Sequence, residues 1–160
     1  MKERKTMPFD KNFAPALRFA VISDIHIDDE DCIEEQRFAK ALDDLKNLCS
    51  SDERYSGFDA LVIVGDFASR GSEIQMRKVK KILDAGLPAD VRLIMTMASH
   101  EYMTDGEENA LRRFDEIFGL TPDTHAVING FDFIAVTTTR GCHFDDKKRG
   151  FISAELEKAA

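Results

Sequence analysis

Residues 60–72 read ALVIVGDFASRGS. Ala60 to Val64 is apolar throughout, with no polar alternation. That is the pattern of a strand covered on both faces, and so of a parallel sheet flanked by helices. The run ends on Gly65-Asp66, and a helix signal follows at Ser72. Ser72 with Gln75 three positions on is a capping box, in which each side chain satisfies a backbone N–H at the other residue.

Outward from this stretch the pattern repeats. Phe19 to Ile22, Val91 to Met97 and Phe131 to Thr137 are also nearly continuous apolar runs and read as strands buried on both faces. Between the first two, Ile33, Phe38, Ala41, Leu42, Leu45 and Leu48 recur at helical steps behind a front of acids, where the helix dipole favours them. The helix opened by Ser72 carries Met76, Val79, Ile82 and Leu83 and stops at Gly86, with Pro88 beyond. A third runs from about Glu107 to Phe118 and closes on Gly119. Alternating strand and helix imply right-handed crossovers, so the expected class is α/β: a parallel or mixed sheet flanked by helices. Asn129-Gly130 is a hairpin signal, which makes the last strand's part of the sheet antiparallel. Phe151 to Ala160 reads as the opening of another helix.

The chain has 160 residues, the size of one ordinary domain over residues 1–160, with residues 1–16 expected to form a flexible N-terminal arm. Leu, Ile, Val and Phe make up 42 of those residues, enough to build a real core. No apolar run approaches the ~18 residues of a membrane helix, and the basic start lacks the apolar stretch of a signal peptide. A formal charge of −8 argues against a broad nucleic-acid or anionic-membrane surface. Cys32, Cys49 and Cys142 form no zinc-type cluster and read as reduced thiols in a cytoplasmic protein.

In an open parallel sheet, ligands bind along the edge where the strands' carboxyl ends meet their loops. The first strand runs into Ser23-Asp24-Ile25-His26, the second into Gly65-Asp66, the third into Ala98-Ser99-His100-Glu101. Two carboxylates and two imidazoles, from Asp24, Asp66, His26 and His100, therefore converge on one rim. If the chain stays extended, Asp24 and His26 point to the same side and one metal ion could accept both.

These blocks resemble the calcineurin-like metallophosphoesterases, whose pattern is DxH, then GD with a trailing G, then GNH followed by Asp or Glu. Here they read DIH at Asp24 to His26, GDFASRG at Gly65 to Gly71, and ASHE at Ala98 to Glu101. Three blocks in matching strand-end positions are a specific signal. The resemblance implies the N-terminal half of that family's four-layer α/β sandwich. It further implies a dinuclear site in which Asp24 and His26 hold one ion, Asp66 bridges both, position 99 serves the second, and His100 lies near the leaving group. The implied reaction is hydrolysis of a small phosphomonoester or phosphodiester by metal-activated hydroxide. Two divalent ions, manganese, iron or zinc, are the implied cofactors.

The chain departs from the pattern in two places. Ser99 replaces the amide ligand with a shorter, poorer donor, so the second ion is expected to bind weakly. The family's later GHxH block does not occur in the sequence. The expectation is thus the first half of a phosphoesterase, with poor turnover as a separate chain. It should also have an exposed apolar sheet face, through which a homodimer could form.

Other residues have blander readings beside their functional ones. Arg70 could bind a substrate phosphate as a planar fork, or equally cap its loop. The acids Asp28, Asp29, Glu30, Asp31, Glu34 and Glu35 read as a solvated helix front. Phe131 and Phe133 are core candidates, and His125 and His143 polar surface residues. The competing functional classes are a non-catalytic, receiver-like signalling module, with Asp24 and Asp28 or Asp29 around magnesium, and a metal-binding pseudoenzyme. The receiver fits less well, because its third strand should lead to an acceptor Asp and here leads to Ser99-His100.

Overall fold

In the computed structural model, residues 14–51 and 57–137 are described. Their elements, in chain order, are β1 (Phe19–Ile22), α1 (Ile33–Ser51), β2 (Ala60–Val64), α2 (Glu73–Gly86), β3 (Arg92–Thr96), a 3-10 turn (His100–Tyr102), α3 (Glu107–Phe118), β4 (Thr124–Ile128) and β5 (Phe131–Ala135). The first three strands form a parallel sheet in the order β1-β2-β3, with Val21 opposite Val62 and Val62 opposite Ile94. Both crossovers step in the same direction, so right-handed connections put their helices on one face of the sheet. That face carries Leu61, Ile63 and Met95, which pack with Phe38 and Leu42 of α1, Met76, Val79 and Leu83 of α2, and Phe114 of α3. Each such side chain contributes roughly 1.5–3 kcal/mol by leaving water.

The helix boundaries follow the local chemistry. Ser72 caps α2, accepting from the Gln75 backbone N–H while the Gln75 side chain reaches back to the Ser72 N–H. α3 ends at Gly119, whose left-handed φ of 65° lets its N–H close on the Asp115 carbonyl. Among the described residues, no helix is long and apolar enough to cross a membrane.

Two strand expectations need correction. β1 is not covered on both faces: Phe19 and Val21, on the side away from the helices, are 50% and 56% exposed, and Val64 of β2 continues this open apolar face. The last strand is not buried either. β4 and β5 form their own antiparallel two-stranded sheet around Asn129-Gly130, with φ of 52° and 82° at the turn. Phe131 and Ile134 lie exposed on it, so Phe131 is not a core residue. Phe133 meets the Phe19 ring edge-on at 5.3 Å, which docks the hairpin against β1. Asn129 adds hydrogen bonds to the Ala16 carbonyl and the Asp59 carboxylate. An apolar run alone does not distinguish a two-sided strand from a hairpin docked by one aromatic contact. The N-terminal arm up to residue 13 and the helix expected after Gly150 lie outside the described residues, as do Cys142 and His143.

Candidate functional site

The loops after β1 and β2 run on side by side beyond the sheet. His26 N–H donates to the Asp66 carbonyl at 3.0 Å, Ile27 N–H to the Phe67 carbonyl at 3.0 Å, and Ser69 N–H back to the Ile27 carbonyl at 2.9 Å. Ile27, Phe67 and Ala68 are fully buried and anchor this extension in the core. The polar residues just before them are presented at the rim by an unusual backbone. Asp24, His26 and Asp66 have φ of 54°, 53° and 49°, in the left-handed region that costs a side-chain-bearing residue of the order of 1 kcal/mol. The extended conformation expected for Asp24 to His26 is thus replaced by alternating left-handed residues. Of the described non-glycine residues, the only other with positive φ is Asn129 in the hairpin turn.

His26, Asp66 and His100 each bring one potential ligand atom to within 4.8 Å of the other two. The two imidazole rings meet edge-on with centroids 4.6 Å apart. Asp24 stands at the solvent side of this group, its Oδ1 3.9 Å from His26 Nε2. Two nitrogens and a carboxylate oxygen, half-buried and mutually close, are a donor set that fits a divalent transition metal. His100 is fixed by its neighbours: its backbone N–H donates to Asp66 Oδ1 at 3.1 Å, and its Nδ1 lies 2.7 Å from the Ser69 carbonyl. A carbonyl can only accept, so Nδ1 carries the proton and Nε2 is the nitrogen with a lone pair in the neutral ring.

Behind this group lies Glu101, fully buried. Its Oε2 accepts the backbone N–H groups of Asp66 at 3.0 Å and Ala98 at 2.8 Å, and its Oε1 accepts that of Ala68 at 3.0 Å. Burial pushes this carboxyl up to about 7, against the three N–H groups that favour its anion. The fit is close enough to demand glycines. A Cβ on Gly71 would lie 2.0 Å from the Glu101 carbonyl oxygen, and one on Gly65 would lie 2.4 Å from Ala98 Cβ. The structural role of Glu101 was not read from the sequence. The available signal was a carboxylate directly after His100 in a loop facing two glycines.

The remaining candidates lie around this centre. Ser99 is half-buried at the start of the 3-10 turn, and its hydroxyl makes no capping bond there. The Arg70 side chain is exposed, while its backbone is tied by Gln75 Oε1 and the Thr104 hydroxyl. The acidic run Asp28 to Glu35 is held by Lys78, whose Nζ donates to the Asp28 and Glu30 carbonyls and to Glu35 Oε1. Glu34 and Glu35 occupy the first turn of α1, as a dipole-favoured helix front requires. His125 is on the hairpin, exposed, with Nε2 2.6 Å from Asp132 Oδ1. An open cavity of about 330 Å³ lies beside Asp24 and His26 and is also lined by Glu34, Arg37, Phe38 and Ala41.

Residues 17–155 match the family model for calcineurin-like phosphoesterases. The matched span includes all three strand-end loops, and the chain belongs to that family. No curated protein matches it.

Proposed function

We propose that this chain is built for metal-dependent hydrolysis of small phosphomonoesters or phosphodiesters, with the three strand-end loops forming its active rim. Family membership supports phosphoester hydrolysis in general. The single observation that carries the finer reading is the approach of His26, Asp66 and His100 to within 4.8 Å of one another.

In this reading Asp24 and His26 hold one divalent ion, Asp66 reaches two, and Ser99 offers the second ion a weak ligand. Manganese, iron and zinc suit a mixed carboxylate and imidazole set. Such ions, once bound, supply Lewis-acid polarisation of phosphate and acidify a water. The protein's own part is positioning and proton handling. The His100 ring is oriented by the Ser69 carbonyl, and its Nε2 delivers a hydrogen bond or a proton to the departing oxygen when protonated. Arg70, exposed at the loop, is the candidate to bind a non-bridging phosphate oxygen. The half-buried thiols of Cys32 and Cys49 agree with a reducing, cytoplasmic setting.

The test is hydrolysis of an aryl phosphate with added manganese, after chelation, and in Asp66→Asn. The expected result is activity that requires the ion and is lost in the variant. Activity indifferent to Asp66→Asn would overturn the reading.

A further inference from the structure

We propose that Glu101 is the positioning residue that sets the register between Asp66 and His100, so that the rim is organised before any ion arrives. The inference rests on the hydrolytic reading above for its consequence, but not for its geometry.

The parallel ladder between β2 and β3 ends at Val64 opposite Thr96. Beyond that point the ladder stops, and the backbone N–H groups of Asp66, Ala68 and Ala98 are taken up by a side chain and not by a strand. A buried amide without an acceptor is costly. Glu101 accepts all three, two on Oε2 and one on Oε1, and so replaces the missing rung with a side chain. One oxygen shared by the Asp66 and Ala98 amides fixes the distance between the loops that carry Asp66 and His100.

The consequences pass outward through two bonds already described. With the loops locked, the His100 N–H meets Asp66 Oδ1, and His100 Nδ1 meets the Ser69 carbonyl, one residue past Ala68. Both the carboxylate direction and the ring tautomer therefore depend on a residue that touches neither substrate nor ion. Gly71 supports the same lock from behind, since it leaves the space taken by the Glu101 main chain. A neutral amide in place of the carboxylate cannot reproduce the arrangement. It has one acceptor oxygen, and its NH₂ would face a backbone N–H.

The experiment compares metal-free wild type and Glu101→Gln by nitrogen-15 NMR and amide hydrogen exchange, then measures manganese affinity and aryl-phosphate kinetics. In the wild type, the Asp66, Ala68 and Ala98 amides should exchange about tenfold or more slower than their exposed loop neighbours, and His100 should be the Nδ1–H tautomer. This arm needs no variant, and it decides the geometry even if Glu101→Gln fails to fold or the wild type proves inactive. In Glu101→Gln the protection is lost and the tautomer becomes mixed. Manganese affinity and kcat at saturating manganese each fall about tenfold or more, with KM little changed. Unprotected amides in the wild type would overturn the proposal. So would a folded Glu101→Gln with wild-type tautomer and kcat. A wild type with the expected amides but no metal-dependent turnover would overturn the hydrolytic reading and leave the positioning role standing.

Discussion

The backbone N–H of His100 donates to Asp66 Oδ1 across 3.1 Å, joining two residues 34 positions apart in the chain. The bond links the second and third strand-end loops without any ion, and it separates two properties of Asp66 that mutation can test independently. Asn at this position keeps an acceptor oxygen and tolerates the left-handed φ of 49° as well as any residue except glycine. Asp66→Asn should therefore leave metal-free stability within about 0.5 kcal/mol of wild type, whereas Asp66→Ala should lose about 1–2 kcal/mol. Urea denaturation of the chelated proteins checks this, and equal losses in the two variants would contradict it.

The left-handed backbone at His26 gives a second prediction. Gly and Ala both delete the imidazole, but only glycine relieves the strain at φ 53°. His26→Gly should be more stable than His26→Ala by about 1 kcal/mol, the reverse of the order in a helix. Thermal melts of the two chelated variants decide it.

Gly71 is a position where space and conformation act together. With φ at 71° and a would-be Cβ 2.0 Å from the Glu101 carbonyl oxygen, Gly71→Ala must push backbone against backbone. The expected loss exceeds about 2 kcal/mol, and Gly119→Ala serves as the control. Gly119 also has positive φ, 65°, in the left-handed region, but its Cβ would meet nothing within 4 Å. Its loss should be nearer 1 kcal/mol, about the cost of left-handed strain alone. Similar losses at both sites would show that the loops do not pack this closely.

Glu101 makes metal-free stability depend on pH. Its folded value of about 7 lies above the ordinary 4.5, so the folded protein retains a proton that the unfolded chain has released. The stability from this group is full below 4.5 and is lost as pH rises through 7, on the order of 3 kcal/mol in all. The stability difference between wild type and Glu101→Gln should fall over that window. A difference that stays flat, or rises, would contradict the sign.

Much of this architecture was legible in the chain because local signals agreed with global ones. Ser72 with Gln75, and Gly119 after an amphipathic run, mark helix ends by satisfying backbone groups locally, so tertiary context had nothing to override. Asp24, His26, Asp66 and His100 were legible as neighbours because crossovers between parallel strands must return their loops to one edge. The left-handed alternation at Asp24 and His26 was not, since neither residue type demands it. It arises where the Ile25 and Ile27 side chains are drawn into the core and Asp24 and His26, which alternate with them, are turned outward. The hairpin itself was legible in Asn129-Gly130, but its separation from the main sheet was not, for a related reason: Phe131 and Ile134 are apolar letters on a surface that this part of the chain leaves open. Glu101 belongs to the ASHE block, but a carboxylate that binds backbone N–H groups leaves no partner residue to recognise in a sequence.

The proposed chemistry requires His26 and Asp66, with His100 beside them, to share one cation site. A manganese titration by calorimetry, run on wild type, His26→Ala and Asp66→Asn, tests it most directly. Saturable binding in the wild type, weakened about tenfold or more by each substitution, is the predicted result. Binding of equal strength in all three proteins would contradict it, as would a wild type that takes up no manganese.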